Sequence, residues 1–275
     1  MSFRDVSDNL RQSFRVLADG RPGAEVLELP GISIASLAVS FQMFNAAFVS
    51  ARVETQSELE ERLQPARHYF DSRGLPWALW ICEDWLAAGV RRKLSRTCEM
   101  FGLRLSSEMP GMAAGQIQPP QRRLPELEIR RVEGEASLND FRALGSHCFH
   151  VPIVWFSEVF DERVAARQAF VCWVGYRDGT PIATAASVAS DGALGIYNVA
   201  TVPEHRKCGY GEAITRHAID AGLRASPAGR FVLQSTSAGQ RLYERMGFGR
   251  VTRVLVYNSA GQRDKPVAAK APAAG

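Results

Sequence analysis

The chain has 275 residues, 46% hydrophobic and 23% charged, enough for one large or two small domains with a sizeable core. Its net charge of +4 is modest and spread along the chain, which does not by itself argue for nucleic acid, none of which is expected as a partner, and is compatible with a small polyanionic ligand. No apolar run approaches the ~18 residues of a membrane helix, and Met1-Ser2-Phe3-Arg4-Asp5 lacks the apolar centre of a signal peptide, so a cytoplasmic protein with no membrane partner is expected.

In chain order, residues 6–18 have a helical pattern, 25–29 and 46–50 read as strands, and 57–72 is helical again. A strand at 77–82, a helix at 83–101 and a strand at 103–109 follow. Residues 115–125 are polar, hold three prolines and separate two periodic regions, as a linker does. Beyond it, 127–132 alternates as a strand, 137–148 is helical with Ser137 as its cap, and 157–168 forms a second helix. Strands at 170–176 and 181–189 flank Arg177-Asp178-Gly179-Thr180, and Asp-Gly between apolar runs marks a hairpin. A strand at 194–202, a helix at 211–223, a strand at 230–234, a helix at 239–246 and a strand at 250–257 complete the pattern. Residues 260–275 are rich in Ala, Pro and Lys without periodicity, the composition of a disordered tail. The expected organisation is an N-terminal α/β domain over 1–114, a linker over 115–125, a second domain over 126–259 and the tail.

The stretch from Trp77 to Arg104 echoes that from Phe231 to Arg250: strand, helix, then Met100-Phe101-Gly102-Leu103 against Met246-Gly247-Phe248-Gly249. This is the mark of a degenerate internal repeat. Cys82, Cys98, Cys148, Cys172 and Cys208 form no C-x-x-C pair, so free thiols are expected rather than a disulfide framework or a metal site.

Arg206-Lys207-Cys208-Gly209-Tyr210-Gly211 joins an apolar strand to a helix. A helix start leaves about four backbone N–H groups unpaired, and the helix dipole adds partial positive charge there. Gly209 and Gly211 remove β-carbons that would hold a phosphate away, while Arg206 and Lys207 add full charge. Tyr210, Ala213, Ile214, His217, Ala218 and Ala221 form the stripe that packs on a sheet. Arg216 and Arg224 lie elsewhere and could partner a phosphate, although solvated surface suits them better. The spacing is neither that of a P-loop nor that of the dinucleotide fingerprint.

In context the segment resembles the acyl-CoA-binding core of the GCN5-related N-acetyltransferase (GNAT) superfamily. Val202-Pro203 supplies the end of the strand, Arg206 to Gly211 the loop, and Leu242-Tyr243-Glu244-Arg245-Met246-Gly247-Phe248 matches a second family element. The resemblance covers about 127–258, and the N-terminal half has no counterpart of the basic glycine loop. It implies an α/β fold: a mixed, mostly antiparallel sheet flanked by helices. It also implies transfer of an acetyl group from acetyl-CoA to a primary amine by direct attack, with no metal.

On this resemblance Val199, Ala200, Thr201 and Val202 would hold the pantetheine arm and thioester, with an N–H near Ala200 for the oxyanion. Arg206, Lys207, Cys208, Gly209, Tyr210, Gly211 and Glu212 would hold the pyrophosphate. Ser235 would contact the cofactor arm, or, with Ser237, cap the next helix. Tyr243 would return a proton to the departing thiolate, and Cys208 has no catalytic role. Relatives often carry a glutamate on the strand before the loop; here that strand offers Tyr197 and Asn198. His147, His150, Glu158, Asp161, Glu162 and His205 are other polar candidates for a base. The competing reading is an acyl-CoA-binding sensor or scaffold without turnover. Arg91-Arg92-Lys93 and Arg96 read as a solvated helix face rather than a nucleic-acid site. Trp77, Trp80 and Trp85 could line an acceptor cleft, although core packing suits them better. The sequence leaves a homodimer open.

Overall fold

The computed structural model describes residues 2–259, so the expected tail at 260–275 lies outside the described residues. Helix α1 (Phe3–Ala18) opens on a capping box between Ser2 and Asp5, which satisfies donors that a helix start leaves free. Val6, Leu10, Phe14 and Leu17 form its buried stripe. Strands β1 (Glu25–Leu29), β2 (Ile32–Ser36) and β3 (Asn45–Val49) follow, then helix α2 (Gln56–Ser72), strand β4 (Ala78–Cys82), helix α3 (Ala88–Met100) and the long strand β5 (Leu103–Ala114). After the strap at 115–127 come β6 (Glu128–Arg131), α4 (Glu135–Phe149), α5 (Ile153–Val159) and α6 (Glu162–Ala166). The hairpin β7 (Val171–Arg177) and β8 (Thr180–Ser190) leads to β9 (Ala193–Thr201), α7 (Tyr210–Ala225), β10 (Arg230–Gln234), α8 (Gln240–Arg245) and β11 (Gly249–Ser259).

The expected α/β class, with a mostly antiparallel sheet flanked by helices, is what the structure shows. Among the described residues eleven strands join one sheet in the order β1-β2-β3-β4-β11-β5-β10-β9-β8-β7-β6. Two pairs are parallel, β3 with β4 and β9 with β10. Each is bridged by a crossover helix, α2 or α7, and each is followed by a second helix and a long strand. The same order of elements thus occurs twice along the chain. The final strands are exchanged: β5 pairs antiparallel with β10, while β11 pairs with β4. β5 and β11 then pair with each other across the centre.

Several details depart from the sequence expectations for clear reasons. β2 lies outside the expected strands; all five of its residues are buried, and the polar Ser33 and Ser36 are accommodated by hydrogen bonds to Glu28 and Asn45. The expected 83–101 helix divides into a 3-10 turn at Glu83–Trp85 and α3. The expected 157–168 helix becomes α5 and α6, and Asp161 accepts from the Arg163 N–H to start the second. Helix α4 begins at Glu135, before Ser137, whose hydroxyl instead accepts from the Gly134 N–H. β5 runs on through Pro110 and Gly111, where a reading by propensity stops. Gly111 is required there because a β-carbon would run into Thr252, Val6 and Val254. The Asp178-Gly179 turn between β7 and β8 forms as expected, and Asp191-Gly192 makes a second one between β8 and β9. Asp178 and Gly179 both have positive φ (50° and 75°), as do Asp191 and Gly192 (44° and 74°), the geometry of tight hairpins.

Apolar packing is continuous across the halves. One cluster surrounds β2, β3 and β4 and includes Val232 of β10. A second joins Val16, Leu17, Leu37 and Phe41 to Phe141, Phe156 and Phe160 of α4 and α5. A third lies under α7 and α8, around Ile196, Ile214 and Met246. Trp77, Trp80 and Trp85 are 2%, 8% and 6% exposed and form core, as the packing reading favours. Cys82, Cys98 and Cys172 are buried free thiols.

The strand exchange has a measurable consequence. A fragment of residues 126–259 has lost β5, the shared partner of β10 and β11. It is expected to show no cooperative thermal transition by circular dichroism, whereas the full chain melts cooperatively. A sharp melt of the fragment would refute this account of the sheet.

Candidate active site

The distinctive backbone feature is the parting of β9 from β10. Their parallel ladder runs from Ala193–Arg230 to Ile196–Leu233 and stops. Beyond it β10 follows β5, with Gln234 opposite Gly111 and the Ser235 N–H donating to the Pro110 carbonyl at 2.9 Å. β9 follows β8, with a register shift between Thr184 and Ala186. Asn198 sits in that irregularity with φ 49°, and its carbonyl accepts from the Thr184 hydroxyl at 2.8 Å. The expected donor segment, Val199 to Val202, therefore borders a wedge between two strands.

The chain leaves β9 through a 3-10 turn at Pro203–His205 and enters the basic loop. Lys207 and Gly209 have φ of 63° and 100°, a left-handed conformation that favours glycine. A β-carbon on Gly209 would also meet Pro125 Cδ at 2.9 Å. Gly209 is the N-cap of α7 without a side-chain cap, so the first N–H groups of α7 face the loop unblocked. Arg206 Nε donates to the Thr201 carbonyl at 3.0 Å, tying the loop to the strand end. Arg122, Lys207 and Arg245 line an open depression of about 500 Å³ beside this helix start, together with Gln121 and Glu212.

The other expected residues take varied places. Tyr210 is buried under α7 with its ring edge-on to His205 at 5.7 Å. The packed stripe of α7 is Tyr210, Ile214, Thr215, Ala218 and Ile219, turned slightly from the expected one. Glu212 is buried and bound by Arg216 at 2.7 and 3.0 Å, so Arg216 is engaged rather than solvated. Cys208 is exposed. Ser235 is 1% exposed and its hydroxyl donates to the Thr236 carbonyl at 2.7 Å. Neither Ser235 nor Ser237 caps α8, whose N-cap is Gly239.

Tyr243 is 7% exposed in the cluster that also holds Met246, and its ring meets Phe248 edge-on at 5.9 Å. Burial pushes its phenol up, with a side-chain hydrogen bond to Thr215 acting against the shift. Tyr197 is held on the other side of the sheet. Its hydroxyl donates to Asn9 Oδ1 at 2.6 Å, and Asn9 Nδ2 donates to the Val188 carbonyl at 3.1 Å and to Ser190 Oγ at 2.7 Å. Gly195 makes room for this pair, since a β-carbon there would collide with both side chains. Burial pushes the Tyr197 phenol up as well. Among the candidate bases, Glu158 accepts from the Ser40 N–H at 2.8 Å. Burial opposes ionisation of Asp161, yet Arg163 and Arg21 hold its carboxyl below the usual range. Both carboxylates therefore have structural duties joining the halves.

Residues 168–250 match the family model of the acetyltransferase (GNAT) domain. No curated protein matches the chain. Among solved structures, a GCN5-related N-acetyltransferase from Kribbella flavida is 17% identical with a TM-score of 0.71, covering 95% of this chain and 97% of its own. A conserved protein of unknown function from Staphylococcus epidermidis is 11% identical with a TM-score of 0.63, covering 88% and 96%. A GCN5-related N-acetyltransferase from Sphaerobacter thermophilus is 16% identical with a TM-score of 0.56, covering 83% and 76%. At these identities the likeness is one of fold.

A phenol whose pKa is raised in the fold keeps its proton when the unfolded chain has lost it. Its stabilisation is therefore present below about pH 10, the ordinary tyrosine value, and is lost as the pH rises further. Urea unfolding from pH 8 to 11 is expected to show stability falling above about pH 10, and Tyr243→Phe should flatten that fall. An unchanged slope would remove Tyr243 from the buried phenols.

Proposed function

We propose that the protein transfers an acetyl group from acetyl-CoA to a primary amine by direct attack in a ternary complex, a reading supported by the match of residues 168–250 to the acetyltransferase (GNAT) domain model. The observation that carries the reading is the β9–β10 wedge opening onto an uncapped, cation-flanked helix start. A wedge between strands suits an extended amide-bearing arm, which hydrogen-bonds as a strand would. The helix start suits the diphosphate. A nucleoside triphosphate would use the second feature and leave the first idle.

Within this reading Val199 to Val202 flank the arm and thioester, and an N–H near Ala200 is assigned to the developing oxyanion. Arg206 to Glu212 surround the diphosphate, and Ser235 borders the wedge from the other strand. The backbone of Gly209 and Gly211 and the side chain of Lys207 supply the contacts, whereas the Tyr210 and Glu212 side chains are committed to packing and to Arg216. Tyr243 is the residue we assign as acid: a phenol, with an ordinary pKa of about 10, is protonated near neutral pH and can return a proton to the leaving thiolate, and the penalty of burial, which weakens it as an acid, is relieved as the proton leaves toward a negative sulfur. An amine with pKa near 10 must lose its proton before it attacks, and water is our choice for that step.

The N-terminal half fits the role of a degenerate copy that holds no donor. There the wedge is closed: Val53 bridges Leu86, and the Val53 N–H donates to the Trp85 carbonyl at 2.8 Å. The start of α2 is already occupied, since Thr55 Oγ1 accepts from the Glu58 N–H and the Glu58 carboxylate accepts from the Glu54 N–H at 2.8 Å. A carboxylate at a helix start repels a phosphate.

The burial of Tyr243 beside Thr215 favours a second reading, in which acyl-CoA is bound without turnover. Incubation with acetyl-CoA and a panel of amines, reading free CoA, separates the two: tight binding with no release across the panel would sink the transferase. Tyr243→Phe should cut turnover about tenfold or more with little change in donor affinity, as loss of a general acid does. Gly211 has positive evidence of room, since a β-carbon there meets only Thr201 Oγ1 at 3.4 Å and Leu242 at 3.6 Å. Gly211→Ala should therefore keep the melting temperature yet weaken acetyl-CoA binding by calorimetry. Unchanged affinity would displace the diphosphate from this loop.

A further inference from the structure

The strap between the halves lies across the loop. The Gln118 N–H donates to the Met246 carbonyl at 2.9 Å, and Arg122 Nη2 donates to the Lys207 carbonyl at 3.3 Å. Pro125 rests against Gly209. Three cations from three separate segments thus line one depression: Arg122 from the strap, Lys207 from the loop and Arg245 from α8. None of the three has an ion-pair partner among the described residues. Glu212, the one carboxylate lining the same depression, is bound by Arg216.

Three like charges converging beside the positive end of a helix repel one another. A diphosphate supplies about two negative charges, and the backbone N–H groups of the loop already suit it. The surplus calls for a further dianion. A phosphate monoester carries about −1.5 to −2 charge at neutral pH and accepts the forked donors of arginine.

We propose that Arg122 and Arg245 recognise the 3′-phosphate of CoA and make the protein selective for CoA over 3′-dephospho-CoA. The proposal rests on the reading of the loop as an acyl-CoA site and goes beyond it by assigning two side chains to the third phosphate. It gives the strap a recognition duty, so that one donor contact comes from a segment outside the residues that match the family model.

The test is calorimetric titration of the full chain with CoA and with 3′-dephospho-CoA at one fixed ionic strength. The wild type should favour CoA by roughly tenfold or more, the worth of charge-assisted contacts at a partly exposed site. Arg122→Ala and Arg245→Ala should each narrow that preference about fivefold, through weaker CoA binding rather than weaker 3′-dephospho-CoA binding. Arg122→Lys should keep most of it, which also shows that the strap survives substitution. A wild-type preference near unity, or equal weakening of both ligands in the alanine variants, overturns the proposal while leaving the donor site intact. Failure of the wild type to bind either ligand overturns the donor site as well.

Discussion

The hydrogen bond from the Ser235 N–H to the Pro110 carbonyl is small, but it stands where β10 abandons β9. A buried strand cannot leave its neighbour unless its polar groups find others, because an unpaired buried N–H or C=O costs about as much as a lost hydrogen bond. β10 keeps its course past the end of the β9 ladder because its other edge is paired with Ala114 to Gly111 of β5, which leaves the wedge-facing edges of β9 and β10 unpaired with each other. That strand belongs to the N-terminal half of the chain. The wedge in the C-terminal half is thus held open by a strand from the other half. The same exchange delivers β11 to β4, so neither half has a complete sheet of its own.

α1 adds a second constraint from the same side. It runs against β8, β9, β10 and β5, and Asn9 clamps the end of the β8–β9 hairpin by its bonds to Val188, Ser190 and Tyr197. A polar side chain buried this deeply is tolerated because every bond it lost to water is replaced. Arg21 works similarly at the far edge, pairing with Asp161 at 2.9 Å and bonding the Glu158 carbonyl. Both contacts fix elements of the C-terminal half from the N-terminal one.

Much of this was legible in the sequence where local chemistry decides the outcome. Asp178-Gly179 makes its hairpin because both residues take positive φ. The strand at Arg230–Gln234 falls at its expected bounds, and the echo of 77–104 in 231–250 corresponds to a recurring order of elements. The glycine loop and Tyr243 stood out for the same local reason. What could not be read was which strand each long segment would join. β5 and β11 carry the same kind of pattern whether they stay in their own half or cross, because period-2 alternation fixes a face and not a partner. Asn9 and Arg122 were invisible for a related reason: one was a polar interruption in an amphipathic helix, the other a basic residue in a proline-rich stretch. Their roles depend on residues more than 80 positions away.

The contrast between the two parallel pairs indicates how little separates the proposed donor site from a structural element. Both have a crossover helix entering from the end of a parallel strand. In one, the helix start carries Glu58 and a closed Val53–Leu86 bridge; in the other it carries Gly209, Gly211 and three unneutralised cations. The apolar framework is served equally well by either, since Leu59 and Leu63 are as buried in α2 as Ile214 and Ala218 are in α7. Stability therefore does not select the basic loop. A left-handed, uncapped helix start ringed by positive charge is a cost to the fold in isolation. Such a feature makes physical sense where a polyanion offsets it, whereas the corresponding helix start in the N-terminal half is capped by Thr55 and carries the Glu58 carboxylate.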